Sequence, residues 1–175
     1  MAKFDLIGLG NALVDSEFHV TDSFLKKKGF EKGTMHLVDS DEQTNLLNSL
    51  EKEYGKPSLA CGGSATNTIF AASILGSSCS YICKVGNDKN GNFYLDDLSD
   101  AGVNIDHSVM LDSNINSGTC TVMVSPDAER TMSTCLGISS DLSATDVADE
   151  IFNDSKLIYL DCLLYTSDAA DDGVG

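Results

Sequence analysis

An α/β fold organised on a parallel sheet is predicted by two features of this chain. Apolar runs of strand length alternate with helical segments through most of its 175 residues. Gly, Asp, Ser or Thr stand at many of the joints between them. The β-rich stretches around Leu13–Val38 and Val103–Thr134 break the alternation, and they predict a small accessory sheet beside the parallel core.

Taken in order, Lys3–Leu9 is an apolar run closing on Gly8 and Gly10, the pattern of a buried strand and a tight turn. Leu13–Val20 alternates as a second strand, and Thr21–Lys28 reads as a short helix stopped by Gly29. Thr34–Val38 is strand-like. Ser40 then predicts a helix start, with Gln43 completing a capping box and Leu46, Leu47 and Leu50 on one face. Cys61–Gly63 reads as a turn feeding a helix over Ser64–Leu75, followed by a strand at Ser80–Val85. A helix fits Asn90–Ala101 and stops at Gly102. Val109–Leu111, Thr119–Ser125 and Arg130–Thr134 are β-rich, with a turn at Pro126-Asp127. Thr145–Phe152 fits a further helix and Lys156–Leu160 a buried strand.

Composition sets the boundaries for function. Acidic residues outnumber basic ones 27 to 11, a formal charge of −16, which disfavours nucleic acid and anionic membranes as partners. MAKFDLIGLG lacks the apolar core of a signal peptide, and no later segment approaches the ~18 apolar residues of a spanning helix. Cys61, Cys79, Cys83, Cys120, Cys135 and Cys162 have irregular spacings and form no CxxC pair. Reduced, buried thiols are expected, with no metal site. A soluble, cytoplasmic protein of one ordinary domain is the expectation.

Four segments carry polar groups where a ligand could use them. In GLGNALVD, Asn11 and Asp15 follow the first strand, at the end where open α/β sheets bind ligands. An amide and a carboxylate together donate to and accept from vicinal hydroxyls, although both residues are also ordinary in a turn and a strand. Gly8-x-Gly10 lacks the third glycine of a dinucleotide fingerprint. In CGGSATNTIFAASILG, Gly62 and Gly63 permit close backbone approach before a helix whose first turn holds Asn67. The GK[ST] element of a P-loop is absent. In KVGNDKNG, Asp88 is a natural N-cap. The hairpin GTCTVMVSPDAERTM carries Arg130, placed to meet a phosphate or to sit on the surface beside Asp127 and Glu129.

Together, GNALVD, KGTMHLVD, CGGSATNT, KVGND, the AGV at Ala101–Val103 and SPDAERTMSTCLG resemble the ordered landmarks of the PfkB, ribokinase-like carbohydrate kinases. DAERTMSTCLGIS is most similar to the adenosine-kinase-like branch. The resemblance runs from about Phe4 to Asp161. It implies a ribokinase-like three-layer core with a small β-sheet lid, its segments at about 13–38 and 103–134, truncated on the C-terminal side. It implies transfer of the ATP γ-phosphate, with Mg²⁺, to a hydroxyl of a small-molecule sugar or nucleoside. By matching positions, Asn11, Asp15, Gly62, Gly63 and Asn67 would bind that substrate. Met35 would belong to the lid, and Arg130 would make a charge contact. Such lids often form dimer contacts, so the resemblance admits a homodimer through the lid.

The family places its catalytic base and anion-binding glycines in a late GAGD-type motif, which this chain lacks. No catalytic residue is expected within it, and the fragment alone is expected to be inactive. The terminal DDGVG arrives too early and carries no aspartate after its last glycine. CLLYTSDAADD, from Cys162, resembles the in-frame translation of a transposase-type sequencing adapter. Residues 1–161 are therefore expected to be the kinase part and 162–175 a non-native tail. A non-catalytic sugar- or nucleoside-binding module is the alternative function.

Overall fold

The structure, a computed structural model, describes residues 2–112 and 114–160. The expected tail at 162–175 lies outside the described residues. Strands β1 (Phe4–Leu9), β5 (Cys79–Ile82) and β10 (Ser155–Leu160) form a parallel sheet with β1 at its centre. Strict alternation splits it into two apolar faces. Leu6, Cys79 and Tyr81 pack beneath α3 (Ser64–Ile74) and α4 (Lys89–Asp100). Ile7, Leu9 and Ile82 meet Leu142, Val147 and Ile151 on the other side. Two helices on one side and the Leu142–Ile151 segment with its 3₁₀ turns on the other complete a layered α/β core.

Where one strand was expected over Ser80–Val85, the backbone makes two. β6 (Lys84–Gly86) leaves the parallel sheet and pairs with β7 (Val109–Leu111) in a separate two-stranded ladder. Val109–Leu111 therefore lies outside the accessory sheet assigned to it from sequence. The expected helix at Thr145–Phe152 is instead a pair of 3₁₀ turns, Ala144–Asp146 and Asp149–Asp154. Ser143 and Asp146 close a local capping box around the first, with Ser143 N donating to Asp146 Oδ2 at 2.8 Å. Such side-chain-to-backbone bonds compete with helix propagation.

The second large element is a five-stranded mixed sheet in the order β3 (Met35–Leu37), β9 (Arg130–Cys135), β8 (Gly118–Val124), β2 (Leu13–His19), β4 (Ser58–Gly62). One face carries Phe18 and Met123 against α1 (Asp22–Lys28) and α2 (Ser40–Tyr54). Leu25 and Leu50 are fully buried there, each contributing roughly 2 kcal/mol. The capping box of α2 sits one residue earlier than the sequence reading placed it. Asp39 caps Glu42 N at 2.8 Å, and Glu42 reaches back to Asp39 N. Gln43 is thereby freed to turn inward, where it donates to Thr121 Oγ1 and Ser133 O and accepts from Ser133 Oγ. That one amide ties α2 to Thr121 of β8 and Ser133 of β9.

Candidate functional site

Strand β4 is what assembles the site. Ser58–Gly62 pairs antiparallel with β2, setting Gly62 opposite Leu13 and Ala60 opposite Asp15. The chain then turns at Gly63, whose φ of 103° caps the N-terminus of α3 without a side-chain hydrogen bond. A Cβ on Gly62 would stand 2.1 Å from Asp15 Oδ1, and one on Gly63 would stand 2.7 Å from the Asn11 carbonyl oxygen. The two glycines thus let the turn press against Asn11 in the β1–β2 connection and Asp15 in β2.

A cleft of about 280 Å³ opens beside them, lined by Asp15, Glu17, Asn67, Arg130, Val122 and the Ser58–Cys61 run of β4. Register shows how distant sequence positions reach it. Asp15 pairs with Cys120, Cys120 with Thr134 and Thr134 with Leu37, while Glu17, Val122, Met132 and Met35 form the next row. Paired residues share a sheet face. Met35 therefore lies on the same face as Asp15 but three strands away, on the exposed edge strand, and does not line the cleft. The cleft gathers Asp15, Asn67 and Arg130; Gly62 and Gly63 do not line it, Gly62 lying against the Asp15 carboxylate and Gly63 against the Asn11 backbone.

Electrostatics set the state of Asp15. Burial pushes its carboxyl up to about 6, the Arg130 guanidinium pulls the other way, and Glu17 adds to the rise. Burial also pushes the Cys120 thiol up to about 11 and holds the Cys61 thiol well above its usual range. Both are therefore protonated thiols rather than nucleophiles. The five cysteines among the described residues are free.

Asn11 is the most unusual of the predicted residues. It is fully buried, yet neither its amide nitrogen nor its oxygen has a hydrogen-bond partner among the described residues. An unpaired buried amide costs about 1–3 kcal/mol, and Asn11 stands behind the cleft without lining it. Asp88, by contrast, is consumed by structure. Its carboxylate accepts from Gly91 N at 2.8 Å, Ser117 Oγ at 2.9 Å and Ser117 N at 2.7 Å, pinning α4 to the β7–β8 connection.

Sequence reasoning missed Glu17, Ser58, Leu59, Ala60, Cys61 and Val122 as cleft residues. Their signal was weak because SLACG has little β-branched content and the two glycines drew the segment toward a turn.

Residues 34–173 match the profile described as pfkB family carbohydrate kinase. Among solved structures, the chain is similar to adenosine kinase from Sinorhizobium meliloti, with a TM-score of 0.81 and 35% identity over 91% of this chain and 47% of that one. It is also similar to a probable sugar kinase protein from Rhizobium etli, with a TM-score of 0.81 and 31% identity over the same shares, 91% and 47%. A ribokinase from Dictyostelium discoideum is 33% identical over 100 residues, 55% of this chain and 31% of the relative. The chain thus spans from about a third to about half the length of these relatives. With the family matched over most of its length and the ribokinase-like fold reproduced, this chain belongs to the pfkB family of carbohydrate kinases.

Proposed function

We propose that this chain is the acceptor-binding half of an ATP-dependent kinase that phosphorylates a hydroxyl of a sugar or nucleoside. The observation that carries the reading is the orphaned amide of Asn11, next to the glycine turn that also shapes the Asp15 cleft. Asp15, ionised above about pH 6, accepts from acceptor hydroxyls. Asn11 and Asn67 donate and accept beside it. The uncapped N-terminus of α3 favours partial negative charge on the same hydroxyls. The five-stranded sheet acts as the lid, with Met35 on its outer strand and Arg130 at the cleft, and it excludes water around the bound hydroxyl. A homodimer through that lid is part of the proposal.

Phosphoryl transfer in such kinases takes its chemistry from ATP and Mg²⁺. The described residues do not fit that pair. No group of three or more His, Cys, Asp or Glu among them gathers to hold a metal ion, and their glycine turns lack a GK[ST] element. The proposal therefore assigns nucleotide, metal and catalytic base to the remainder of the longer kinase, and the chain alone turns over no ATP.

Calorimetric titration of the chain with adenosine and with ribose, paired with an ATP-turnover assay, tests this. Binding of one compound, lost in Asp15→Ala with the circular dichroism spectrum unchanged, is the expected result. Binding of neither would sink the acceptor-site reading, and ATP turnover would sink the division of labour.

A further inference from the structure

Beneath the Gly62–Gly63 turn lies a hydroxyl cluster. Thr66, Tyr81 and Tyr94 come from α3, β5 and α4, and each is at most 1% exposed. Thr66 Oγ1 donates to the Tyr81 hydroxyl at 3.0 Å and also contacts the Tyr94 hydroxyl. Threonine has one proton, so with Tyr81 receiving it Thr66 must accept from Tyr94. The Tyr94 proton is then shared between Thr66 and the Gly62 carbonyl, 3.4 Å away. The same Thr66 oxygen sits 3.2 Å from where a Gly63 Cβ would be, and Tyr81 Cδ2 sits 2.9 Å from where a Gly8 Cβ would be. Both glycines of the turn are therefore seated on this cluster, and so is the strand that leads to Asn11.

The surroundings make these bonds costly to lose. The cluster is embedded among Ala12, Val14, Ala65, Ile69 and Cys83, an apolar setting where a hydroxyl has no water to turn to. Valine at 66 and phenylalanine at 81 and 94 would fill the core as well, so packing alone does not account for three hydroxyls converging on one point. Their geometry does: they link three elements to the two residues against which Asp15 and Asn11 rest.

We propose that Thr66, with Tyr81 and Tyr94, is the positioning element that sets the Gly62–Gly63 turn against Asp15 and Asn11, and so sets the acceptor affinity of the cleft. The inference rests on the acceptor-site reading. None of the three side chains lines the cleft, so they act through the turn and not on the acceptor.

The test compares Thr66→Val, Thr66→Ser and Tyr94→Phe with the parent chain, using three readouts. Hydrogen exchange over residues 62–67 reports the turn without any ligand. The NMR titration of Asp15 reports its surroundings. Calorimetry with adenosine and with ribose reports affinity. Expected are faster exchange over 62–67 and a displaced Asp15 midpoint in Thr66→Val and Tyr94→Phe. Affinity should fall about tenfold, the worth of one lost buried hydrogen bond, and Thr66→Ser should restore all three. Unchanged exchange in both variants would overturn the inference whatever the ligand data show, as would looser exchange with unchanged affinity. If the parent binds neither compound while exchange and the Asp15 midpoint respond as described, the acceptor reading falls and the mechanical link between Thr66 and the turn stands.

Discussion

The carboxylate of Asp15 occupies the space that a side chain on Gly62 would need: a Cβ there would lie 2.1 Å from Oδ1 and 2.4 Å from Cγ. The glycine is required by this close approach, since its φ is not in the left-handed region. Gly62→Ala must move either Asp15 or β4. We expect a loss of about 1–3 kcal/mol in urea denaturation, typical of an overpacked site. Acceptor affinity should fall at least about tenfold in calorimetry, because a displacement of this size removes the carboxylate from hydrogen-bond range. Wild-type affinity in Gly62→Ala would exclude Asp15 as a binding group.

Asp15 should also make the chain pH-sensitive. Burial pushes its folded carboxyl up to about 6 from the ordinary aspartate value of 3.8, so between these values the folded state binds more protons than the unfolded state. The stabilising contribution is fully present below about pH 4 and is lost as pH rises through about 6. Asp15→Asn should abolish this dependence and leave the chain more stable than the parent at pH 8, read as melting temperature against pH. Acceptor binding should run the opposite way, strengthening as the carboxylate ionises.

Arg130 lowers the Asp15 pKa through its charge. Arg130→Gln should therefore shift the Asp15 midpoint further upward, observable by carbon-detected NMR of the carboxyl group. A downward shift or none would show that the guanidinium does not act on the cleft.

Asn11 should behave unlike an ordinary buried asparagine. With both polar atoms unpaired, Asn11→Ala removes a desolvation penalty while opening only a small void. Denaturation should show no net loss of stability, whereas affinity for the bound acceptor should fall by about an order of magnitude. A destabilisation of several kcal/mol would mean that the amide is already satisfied in the native chain.

β10 pairs only with β1 among the described residues, and Leu157, Ile158, Tyr159 and Leu160 are all exposed. An apolar edge of this kind templates association. Light scattering should show concentration-dependent assembly of the chain, reduced in the double variant Leu157→Lys, Tyr159→Lys.

Much of this was legible from local patterns. The apolar run of β1, Gly29 ending α1, Asp88 capping α4 and the glycines before α3 are all dictated by neighbours within a few residues; β10 is the strand its apolar run predicts but is exposed and not buried, because burial depends on what covers the sheet. Asn11, Asp15 and Asn67 could be singled out because strand ends and helix starts are where α/β sheets hold ligands. Three things were decided only in three dimensions. The pairing of β4 with β2 carries Ser58–Cys61 into the cleft, the departure of β6 from the parallel sheet separates Val109–Leu111 from the five-stranded sheet, and the convergence of Thr66, Tyr81 and Tyr94 seats the turn. Each depends on contacts between residues 15 or more positions apart. Local propensity carries no information about such contacts, because strand pairing and burial are settled by which apolar faces can cover one another.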